Sequence, residues 1–407
     1  MSGIAVRPLR DVLRPRNDIV HPRDNPTGIE TFVGLEHIEP QTGRRIGAVP
    51  IDLGSMTGRK ARFLPGDIVY GYLRPYLNKV WIAEFAGFCS VDQYVFIVDE
   101  AIADAAYVAS YLRSPAYLAA APIDETPGQL PRIRLDEVLS APIPLPPLDE
   151  QRQIAARLRD QLREVDGLTV GAAARNTELA DFRISVYETA FPITPLSVTA
   201  ESASPDGWTW RSLGSLGRLE SGHTPSRSRP DWWGGDIPWI ALPDIRALDG
   251  RHVFETLKRT NPEGIAHSAA RVLPAGTVVL SRTASVGFVT IMGRPMATSQ
   301  DFVNWVCGPD LDPGFLMHLF IRSRERFRSL SAGAVHKTVY FPTAMALRVC
   351  VPPFDEQRRI ADSLREQLAE IDRAKAALEA QRKAIDALPA ALLREVFGSS
   401  HPVVAVS

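Results

Sequence analysis

Two long stretches of the chain place an apolar residue at every third or fourth position, with charged residues between them. This spacing puts the apolar side chains on one face and predicts two long amphipathic helices. Each stretch follows a Pro-Pro pair, which ends the preceding extended segment, and opens with an aspartate suited to cap a helix. The apolar positions predicted to pack against a partner helix are Ile154, Leu158, Leu162, Val165, Ile360, Leu364, Leu368 and Ile371.

The two stretches are copies of one element. PPLDEQRQIAARLRDQLREVDG begins at Pro146 and PPFDEQRRIADSLREQLAEIDR begins at Pro352, with 14 of 22 positions identical. Two unrelated helices, each covering its own domain core, would not keep one register over this length, so a coiled coil is the favoured interpretation. Roughly 42 residues make a rod of about 60 Å. Gly167 and Gly171 weaken the first helix, and Pro389 should kink or end the second.

The regions between the helices also resemble each other, more faintly. Residues 7–145 and 211–351 have nearly equal lengths, and each begins with Arg-x-Leu. The segment FLPGDIV from Phe63 is similar to VLPAGTVV from Val272, and Ser-Val-Asp at 90–92 is similar to Ser-Gln-Asp at 299–301. Short β-branched and aromatic runs between Gly, Pro and Asp turns predict a mixed, mostly β domain in each region. Each domain also has a predicted helical piece, near 104–120 and near 314–330.

These patterns predict an α+β chain in which domains and long helices alternate as an internal pseudo-twofold repeat. The predicted first domain covers residues 1–145 and the first helix 146–192. The second domain covers 193–351, the second helix 352–397, and a flexible tail 398–407.

Composition and charge narrow the function. The 407 residues are 45% hydrophobic and 23% charged, as in globular proteins. A net charge of −1 argues against a binder that uses its whole surface on nucleic acid, although residues 193–351 carry 17 basic and 13 acidic side chains. Cys89, Cys307 and Cys350 are too few and scattered for a disulfide framework or a zinc site, and no apolar run is long enough to span a membrane. We expect a cytoplasmic protein. A protein with this charge balance could grip DNA only locally or with help from a more basic partner, and the charge alone does not decide the function.

Several segments resemble one known family. LPPLDEQ at 145–151 and VPPFDEQ at 351–357, each followed by an apolar-periodic helix, look like the conserved regions of type I restriction specificity subunits. FLPGDIVYGYLRPYLNKV from Phe63 is similar to part of their target recognition domains, as are ESGHTPSR from Glu220, WWGGDIPWI from Trp232 and MATSQ from Met296. His223 departs from the Gly-Gly-Thr-Pro-Ser typical of the family. The resemblance covers nearly the whole chain with its segments in order.

The resemblance implies two mixed, mostly β target recognition domains separated by two long helices that form an antiparallel coiled coil. Each domain would read one half of a bipartite, gapped site in double-stranded DNA, and the helices would set the gap. Two methyltransferase (modification) subunits would methylate adenine N6, with or without restriction/translocase subunits. S-adenosylmethionine, ATP and Mg²⁺ would bind the partner subunits, and no cofactor or metal is expected in this chain. Half-sites on one face of DNA lie about 34–36 Å or a multiple apart, a spacing that such a rod could hold.

Candidate DNA contacts are side chains in turn-like segments that can hydrogen-bond phosphates or base edges. In the first domain they are Arg59, Lys60, Arg62, Tyr72, Arg74, Tyr76, Asn78 and Lys79. In the second they are Thr224, Ser226, Arg227, Arg229, Arg282, Ser285, His336 and Lys337. Any one of them could instead be a solvated surface group or a structural cap.

Two other groups of residues are given a structural interpretation. The tryptophans of the second domain, Trp232, Trp233 and Trp239, are better explained by packing than as platforms for base stacking. The arginines at 322, 324, 326 and 328 alternate along a predicted helix, so at most half of them can face DNA.

Searches for catalytic motifs are negative. VPPF at 351–354 looks like the Asn-Pro-Pro-Phe loop of adenine methyltransferases but lacks the Asn. Neither a glycine-rich S-adenosylmethionine loop nor a GxxxxGK loop occurs, and Asp244 with Glu255 and Lys258 misses a nuclease spacing by one residue. We expect a non-catalytic recognition subunit. The alternatives are the recognition subunit of another gapped-site methyltransferase or phage-defence complex, and a coiled-coil scaffold that does not bind DNA.

Overall fold

A computed structural model describes residues 4–124, 129–198, 201–331 and 338–398. The chain divides into two compact units: unit 1 is residues 1–174 with 378–407, and unit 2 is residues 175–377. Both long helices contribute to both units, so residues 148–174 belong with 378–397, and residues 175–190 belong with 354–377. The early part of one helix therefore pairs with the late part of the other. This is the antiparallel arrangement that was predicted.

The described strands of unit 1 are β1 (Ala5–Pro8), β2 (Leu13–Pro15), β3 (Ile19–Val20), β4 (Ile29–Val33), β5 (Val49–Asp52), β6 (Lys60–Phe63), β7 (Ile68–Gly71), β8 (Val80–Ile82), β9 (Gly87–Ser90), β10 (Gln93–Val98) and β11 (Pro142–Leu145). Its helices are α1 (Ala105–Leu112), α2 (Pro115–Ala120) and α3 (Leu135–Ser140), followed by the long helix α4 (Leu148–Ala190).

The strands of unit 1 form three small sheets. One has the order β2-β10-β7-β8, a second has the order β3-β6-β9-β4-β5, and β1 pairs with β11. Neighbours are antiparallel except β4 and β9, which run parallel with Phe32 opposite Phe88. The larger core packs the first sheet and helices α1 to α3 against α4, and buries Leu158 together with Phe397. A smaller core around Phe63 and Trp81 lies between the two larger sheets.

The described strands of unit 2 are β12 (Leu196–Ser197), β13 (Thr209–Ser212), β14 (Gly217–Ser221), β15 (Trp233–Ile240), β16 (His252–Val253), β17 (Lys258–Thr260), β18 (Val278–Ser281), β19 (Val289–Met292), β20 (Ala297–Thr298), β21 (Phe302–Cys307) and β22 (Arg348–Val351). Its helices are α5 (Leu213–Leu216), α6 (Leu242–Ala247), α7 (Pro262–Ala266), α8 (Pro313–Arg322), α9 (Arg324–Ser331) and α10 (Phe341–Met345), followed by the long helix α11 (Phe354–Phe397).

Unit 2 repeats the strand order of unit 1. The sheet β14-β21-β18-β19 corresponds to β2-β10-β7-β8 and is extended by β16. The sheet β17-β15-β20 contains a parallel pair, Trp239 opposite Ala297, that corresponds to Phe32 opposite Phe88. In both units a hairpin, β7-β8 or β18-β19, is followed by a strand that returns to the centre of the same sheet. The faint repeat between the domains is therefore a repeat of topology.

The predicted apolar stripes divide between two kinds of contact. Val165 packs with Ile385 in a cluster formed by the two long helices alone. Ile154 and Leu158 join the core of unit 1, and Leu162 is partly buried. The second stripe joins the core of unit 2 with Val186 and Tyr187 of α4 and with Phe191, which follows that helix, and its members are Ile360, Leu364, Leu368 and Ile371. The long helices are therefore parts of the domain cores as well as partners of each other.

Neither the two glycines of α4, Gly167 and Gly171, nor Pro389 of α11 ends its helix. Leu168, next to Gly167 on α4, is 48% exposed and lies outside the cores. Helix α11 continues past Pro389 to Phe397, so the proline does not end it. Leu393 and Phe397 beyond the proline are buried in the core of unit 1, and this tertiary packing holds the last two turns. Among the described residues, none of the helices has an apolar stretch long enough to cross a membrane.

Candidate nucleic-acid interface

The loop between β7 and β8 carries five of the candidate DNA contacts of unit 1, residues 72–79. Arg74 and Asn78 both adopt left-handed backbone conformations and flank a single 3-10 turn, Pro75–Leu77. The loop is tied at its base, where Gly71 N–H donates to the Lys79 carbonyl at 2.9 Å. Such strained, over-determined backbone is typical of functional loops.

The side chains of this loop differ in their availability. Arg74 and Tyr76 are exposed, and Tyr76 retains 54% of its surface. Asn78 is buried, and its amide donates to the Arg113 carbonyl at 2.5 Å, which leaves no exposed amide for a base edge. Lys79 Nζ donates to the Leu35 carbonyl at 2.5 Å. Arg74 and Tyr76 are the members of this loop best placed to contact a ligand.

Tyr72 lies at the start of the loop and stacks on Tyr94, with ring centroids 4.5 Å apart and planes 21° from parallel. Burial and the nearby Asp92 carboxylate raise the pKa of Tyr72, and the positive charges of Arg132 and Arg59 oppose that shift. The sheet therefore brings Tyr72 and Arg59, which are distant in sequence, into one electrostatic environment.

Lys60 and Arg62 lie on β6, which precedes this loop in the chain. Each of the two cations packs over a different aromatic ring. Lys60 Nζ lies 5.5 Å from the centre of the Phe32 ring, and Arg62 lies 4.9 Å from that of Phe88. Arg62 also pairs with Asp18 at 3.3 Å, where both side chains are nearly half exposed. Exposed pairs of this kind are weak, so either cation can exchange its partner for a phosphate.

The corresponding loop of unit 2 connects β18 to β19 and carries Arg282 and Ser285. Arg282 Nε donates to the Gln300 carbonyl at 3.1 Å, and Arg246 Nε donates to Ser285 Oγ at 2.8 Å. Ala284 between them has a left-handed backbone, φ 54°. The two loops chosen from sequence therefore occupy equivalent places in the two units.

The loop after β14 lies against the same part of unit 2. Thr224 hydrogen-bonds Gln300 Oε1, and so reaches the residue whose carbonyl holds Arg282. Ser226 and Ser228 share a hydrogen bond of 2.8 Å. Arg227 is exposed. Gln300 is the one of these that the sequence argument missed, although it belongs to the MATSQ segment.

Arg229 has local partners. Its guanidinium pairs with both carboxylate oxygens of Asp231 and lies 4.8 Å from the centre of the Trp232 ring. This carboxylate raises the pKa of Arg229, which stays charged. His336 and Lys337, also chosen from sequence, lie outside the described residues.

The tryptophans of unit 2 have packing roles, as expected. Trp239 is 2% exposed and meets Trp233 edge to face, with centroids 5.0 Å apart. Trp232 stacks on His267 at 5.6 Å. In the arginine cluster, Arg324 is held by both oxygens of Asp249 at 2.8 and 2.7 Å. The packing of these tryptophans and the ion pair of Arg324 are therefore contacts within unit 2.

The glutamine of each DEQ motif, Gln151 or Gln357, has a structural role that was not predicted from the sequence. Gln151 is 1% exposed, and its amide donates to the carbonyls of Pro146 at 2.9 Å and Ile102 at 3.1 Å. Its Oε1 accepts from the Asp104 N–H at 3.0 Å. Asp104 in turn caps α1. The one side chain therefore joins the start of α4, the end of β11 and the start of α1.

Gln357 makes the same three bonds in unit 2. Its amide donates to the carbonyls of Pro352 and Asp310, both at 3.0 Å, and its Oε1 accepts from the Asp312 N–H at 3.0 Å. Asp312 caps α8 as Asp104 caps α1. We call these two sets of bonds the glutamine clamps. The signal available in the sequence was a polar residue kept in both copies at a helix position that also faces the core.

Asp244 and the cysteines have local structural surroundings. Asp244 accepts from the N–H groups of Ala241 and Leu257 at 2.9 and 2.8 Å, which occupies both of its oxygens. Burial raises the pKa of Cys89 and Cys307 to about 12, so neither thiol ionises readily. Among the described residues, no group of three or more His, Cys, Asp or Glu side chains could hold a metal ion.

The fold and these loops define a class of protein: two similar α+β units, each presenting a hairpin loop rich in arginine, aromatic and hydroxyl side chains, joined by two long helices. Residues 205–384 match the family model described as the type I restriction modification DNA specificity domain. The matched part of the chain is similar to type I restriction–modification specificity subunits.

Two curated relatives illustrate this similarity. The type I restriction enzyme MjaIX specificity subunit of Methanocaldococcus jannaschii is 26% identical over 162 residues, 39% of this chain and 38% of that protein. The EcoDI specificity subunit of Escherichia coli is 33% identical over 145 residues, 36% of this chain and 32% of that protein. The matched segments therefore span about a third of these relatives.

Two solved structures share the fold. A chain from a structure titled for complex assembly and conformational transition of the type I R-M system has a TM-score of 0.80, at 20% identity and 98% coverage of both chains. The HsdS subunit of Thermoanaerobacter tengcongensis has a TM-score of 0.65, also at 20% identity, covering 98% of this chain and 97% of that one.

Proposed function

We propose that this chain is the DNA-recognition subunit of a type I restriction–modification complex, with each unit reading one half of a bipartite, gapped target. The observation that carries the proposal is the placement of equivalent hairpin loops, residues 72–79 and 282–288, at one point of a duplicated topology. Two equivalent DNA-binding loops suit a target with two half-sites, because each copy of a duplicated surface can bind one half-site.

The chain directs chemistry that partner subunits perform. Two methyltransferase subunits bind it and methylate adenine N6 within the target, and restriction/translocase subunits complete the complex where cleavage occurs. S-adenosylmethionine, ATP and Mg²⁺ bind these partners in the cytoplasm. The buried thiols and the structurally engaged Asp244 support a non-catalytic role for this chain.

Methylation mapping tests the proposal. Chromosomal DNA is sequenced by a long-read method that detects N6-methyladenine, from cells with and without this gene and with the methyltransferase gene intact. We expect methylation at one two-part motif with a fixed gap to disappear on deletion. Unchanged methylation in cells that express both subunits contradicts the proposal and favours a scaffold that does not bind DNA.

Exposed candidate side chains separate these two functions in the purified complex. Arg74→Ala and Arg227→Ala each remove an exposed guanidinium without disturbing a buried contact. The recognition role predicts weaker DNA binding for both, about tenfold if a base contact is lost. A scaffold keeps its DNA affinity in both variants.

A further inference from the structure

In unit 2 the β18–β19 loop is held by the segment that begins at Thr338. Thr338 forms an antiparallel bridge with Thr283, and the Val339 N–H donates to the Arg282 carbonyl at 2.9 Å. Arg282 is a candidate DNA contact, so this segment lies directly against the candidate interface.

Unit 1 has the same arrangement at the same sequence offset. Arg132 forms an antiparallel bridge with Leu73, and the Ile133 N–H donates to the Tyr72 carbonyl at 3.2 Å. The Arg74 N–H also donates to the Pro131 carbonyl at 2.7 Å. Positions 132 and 133 are 206 residues before 338 and 339, and the long helices repeat at this same offset. The segment around Arg132 is therefore a structural part of the candidate interface, although sequence analysis did not select it.

The Arg132 side chain is available to a ligand. Its Nε donates to the Leu130 carbonyl at 3.4 Å, and within the described residues it pairs with none of the carboxylates. Arg134, two positions later, pairs with Asp124 at 3.2 Å. The two arginines are close in sequence, and among the described residues only Arg134 has a carboxylate partner, in an exposed and therefore weak pair.

The surroundings of Arg132 are those of a nucleic-acid surface. The charges of Arg132 and Arg59 both lower the pKa of Tyr72, against the larger opposite effect of burial, and Tyr72 stacks on Tyr94. Arg74 of the adjoining loop is exposed. Three cations beside an aromatic pair suit an anionic, hydrogen-bonding polymer.

We propose that Arg132 is a specificity-determining residue of unit 1 that reads a base edge of one half-site, with guanine as the favoured base. The inference deepens the proposed function and rests on it. A guanidinium presents two parallel donors that match the O6 and N7 acceptors of guanine. Arg132 is half-buried, so it loses less side-chain freedom on binding than a fully exposed arginine does, and its backbone bridge fixes where the side chain starts.

The test uses the complete complex with its methyltransferase subunits and a duplex carrying the motif found by methylation mapping. Arg132→Ala is compared with Arg134→Ala, and binding is measured to duplexes in which each base pair of the motif is changed in turn. We expect Arg132→Ala to bind the target at least tenfold more weakly and to lose discrimination at one base pair of one half-site. Arg134→Ala should bind within twofold of the wild type. Arg132→Lys should recover part of the affinity without the discrimination.

Two results would overturn the inference. One is unchanged binding by Arg132→Ala, and the other is an equal loss for every duplex, which would identify a phosphate contact. Thermal unfolding of each variant shows whether a loss reflects misfolding, and Arg132→Lys repeats the comparison if the alanine variant does not fold. Failure of the proposed function looks different, because the wild-type complex would then show no preference for a bipartite motif.

Discussion

Units 1 and 2 share a strand order but stabilise it with opposite charges. Arg16 follows β2, and its guanidinium pairs with Asp67 at 2.6 and 2.9 Å. The corresponding residue of β14 is Glu220, because Pro15 and Leu219 occupy the same register beside β10 and β21. Glu220 pairs with Arg271 at 2.8 Å and Arg218 at 3.1 Å. Both units therefore place an ion pair at this point, and the sign of the strand residue differs between them.

A second difference lies where each domain meets the long helices. In unit 2, Asp372 pairs with Arg183 at 3.1 Å and with Arg251 at 3.3 Å. The equivalent carboxylate of unit 1, Asp166, pairs with Arg44 at 2.8 Å. The 206-residue offset places Pro389 where unit 2 has Arg183. The same docking site is therefore built with one cation in unit 1 and two in unit 2.

Both units contain a glutamine clamp with the same three buried hydrogen bonds. We expect the loss of a clamp to have the largest effect on the free energy of unfolding. Gln151→Leu or Gln357→Leu removes three buried hydrogen bonds and leaves two carbonyls and one N–H unpaired. Each substitution should lower the free energy of unfolding by about 3 kcal/mol or more. Hydrogen exchange should assign the loss to unit 1 for Gln151 and to unit 2 for Gln357.

Gln153→Leu is the matched control for the clamps, because Gln153 is exposed on the same helix. It should change stability by less than about 0.5 kcal/mol. A cost below about 1 kcal/mol for both clamp variants would show that the motif is kept for another reason.

The charge reversal predicts unequal costs for removing the two carboxylates. Asp67→Ala should destabilise unit 1 by about 3 kcal/mol, because Arg16 is only 19% exposed and the Leu64 N–H also loses its acceptor. Glu220→Ala should cost about 1 kcal/mol, because both of its arginine partners are 67% exposed and can be solvated. Urea unfolding of both variants measures the difference, and equal costs would contradict this account.

Acidic pH should lower the stability of unit 2, because protonation of the buried His318 is unfavourable in the folded protein. Burial, reinforced by Arg183 and Arg365, lowers the pKa of His318 to about 4, and its Nδ1 lies 3.1 Å from the Tyr187 hydroxyl. In the unfolded chain His318 has its ordinary pKa of about 6.5, so it is protonated at a higher pH there than in the folded protein. The contribution of neutral His318 to the free energy of unfolding is therefore complete above pH 6.5 and is lost as the pH falls toward 4. The contribution is at most about 3 kcal/mol.

His318→Gln should remove this part of the pH dependence while keeping a polar group beside Tyr187. The exposed His267→Gln serves as the control. Unfolding free energies between pH 7 and pH 4.5 measure the effect, and an unchanged slope in His318→Gln would show that other groups cause it.

The smallest expected effect concerns the helix-docking carboxylates. Asp372→Ala should cost more than Asp166→Ala because it loses two cations instead of one, although each loss stays below about 1 kcal/mol for such exposed pairs. Double-mutant cycles with Arg251→Ala and Arg44→Ala measure the pairs. The comparison fails if Asp166 contributes as much as Asp372.

The glutamines show how far sequence reasoning could reach and where it stopped. The helix that carries Gln151 was predicted from local periodicity, and the structure confirms a helix there. The role of the side chain was not predicted, because its partners Ile102 and Asp104 lie 47 to 49 residues away. For Asn78 the sequence indicated a surface residue in a turn. Tertiary packing instead buries its amide, which donates to the Arg113 carbonyl.

The sequence by itself determined the two long helices, the alternation of domains and helices, and the resemblance to type I restriction specificity subunits. Each of these follows from periodicity or repetition along the chain, where the information is local. Only the tertiary structure decided which side chains of the candidate loops are exposed and that Arg132 lies beside Tyr72. Those contacts join residues about 60 positions apart through sheet pairing. A local pattern does not encode such a register, because the long-range packing of several strands sets it.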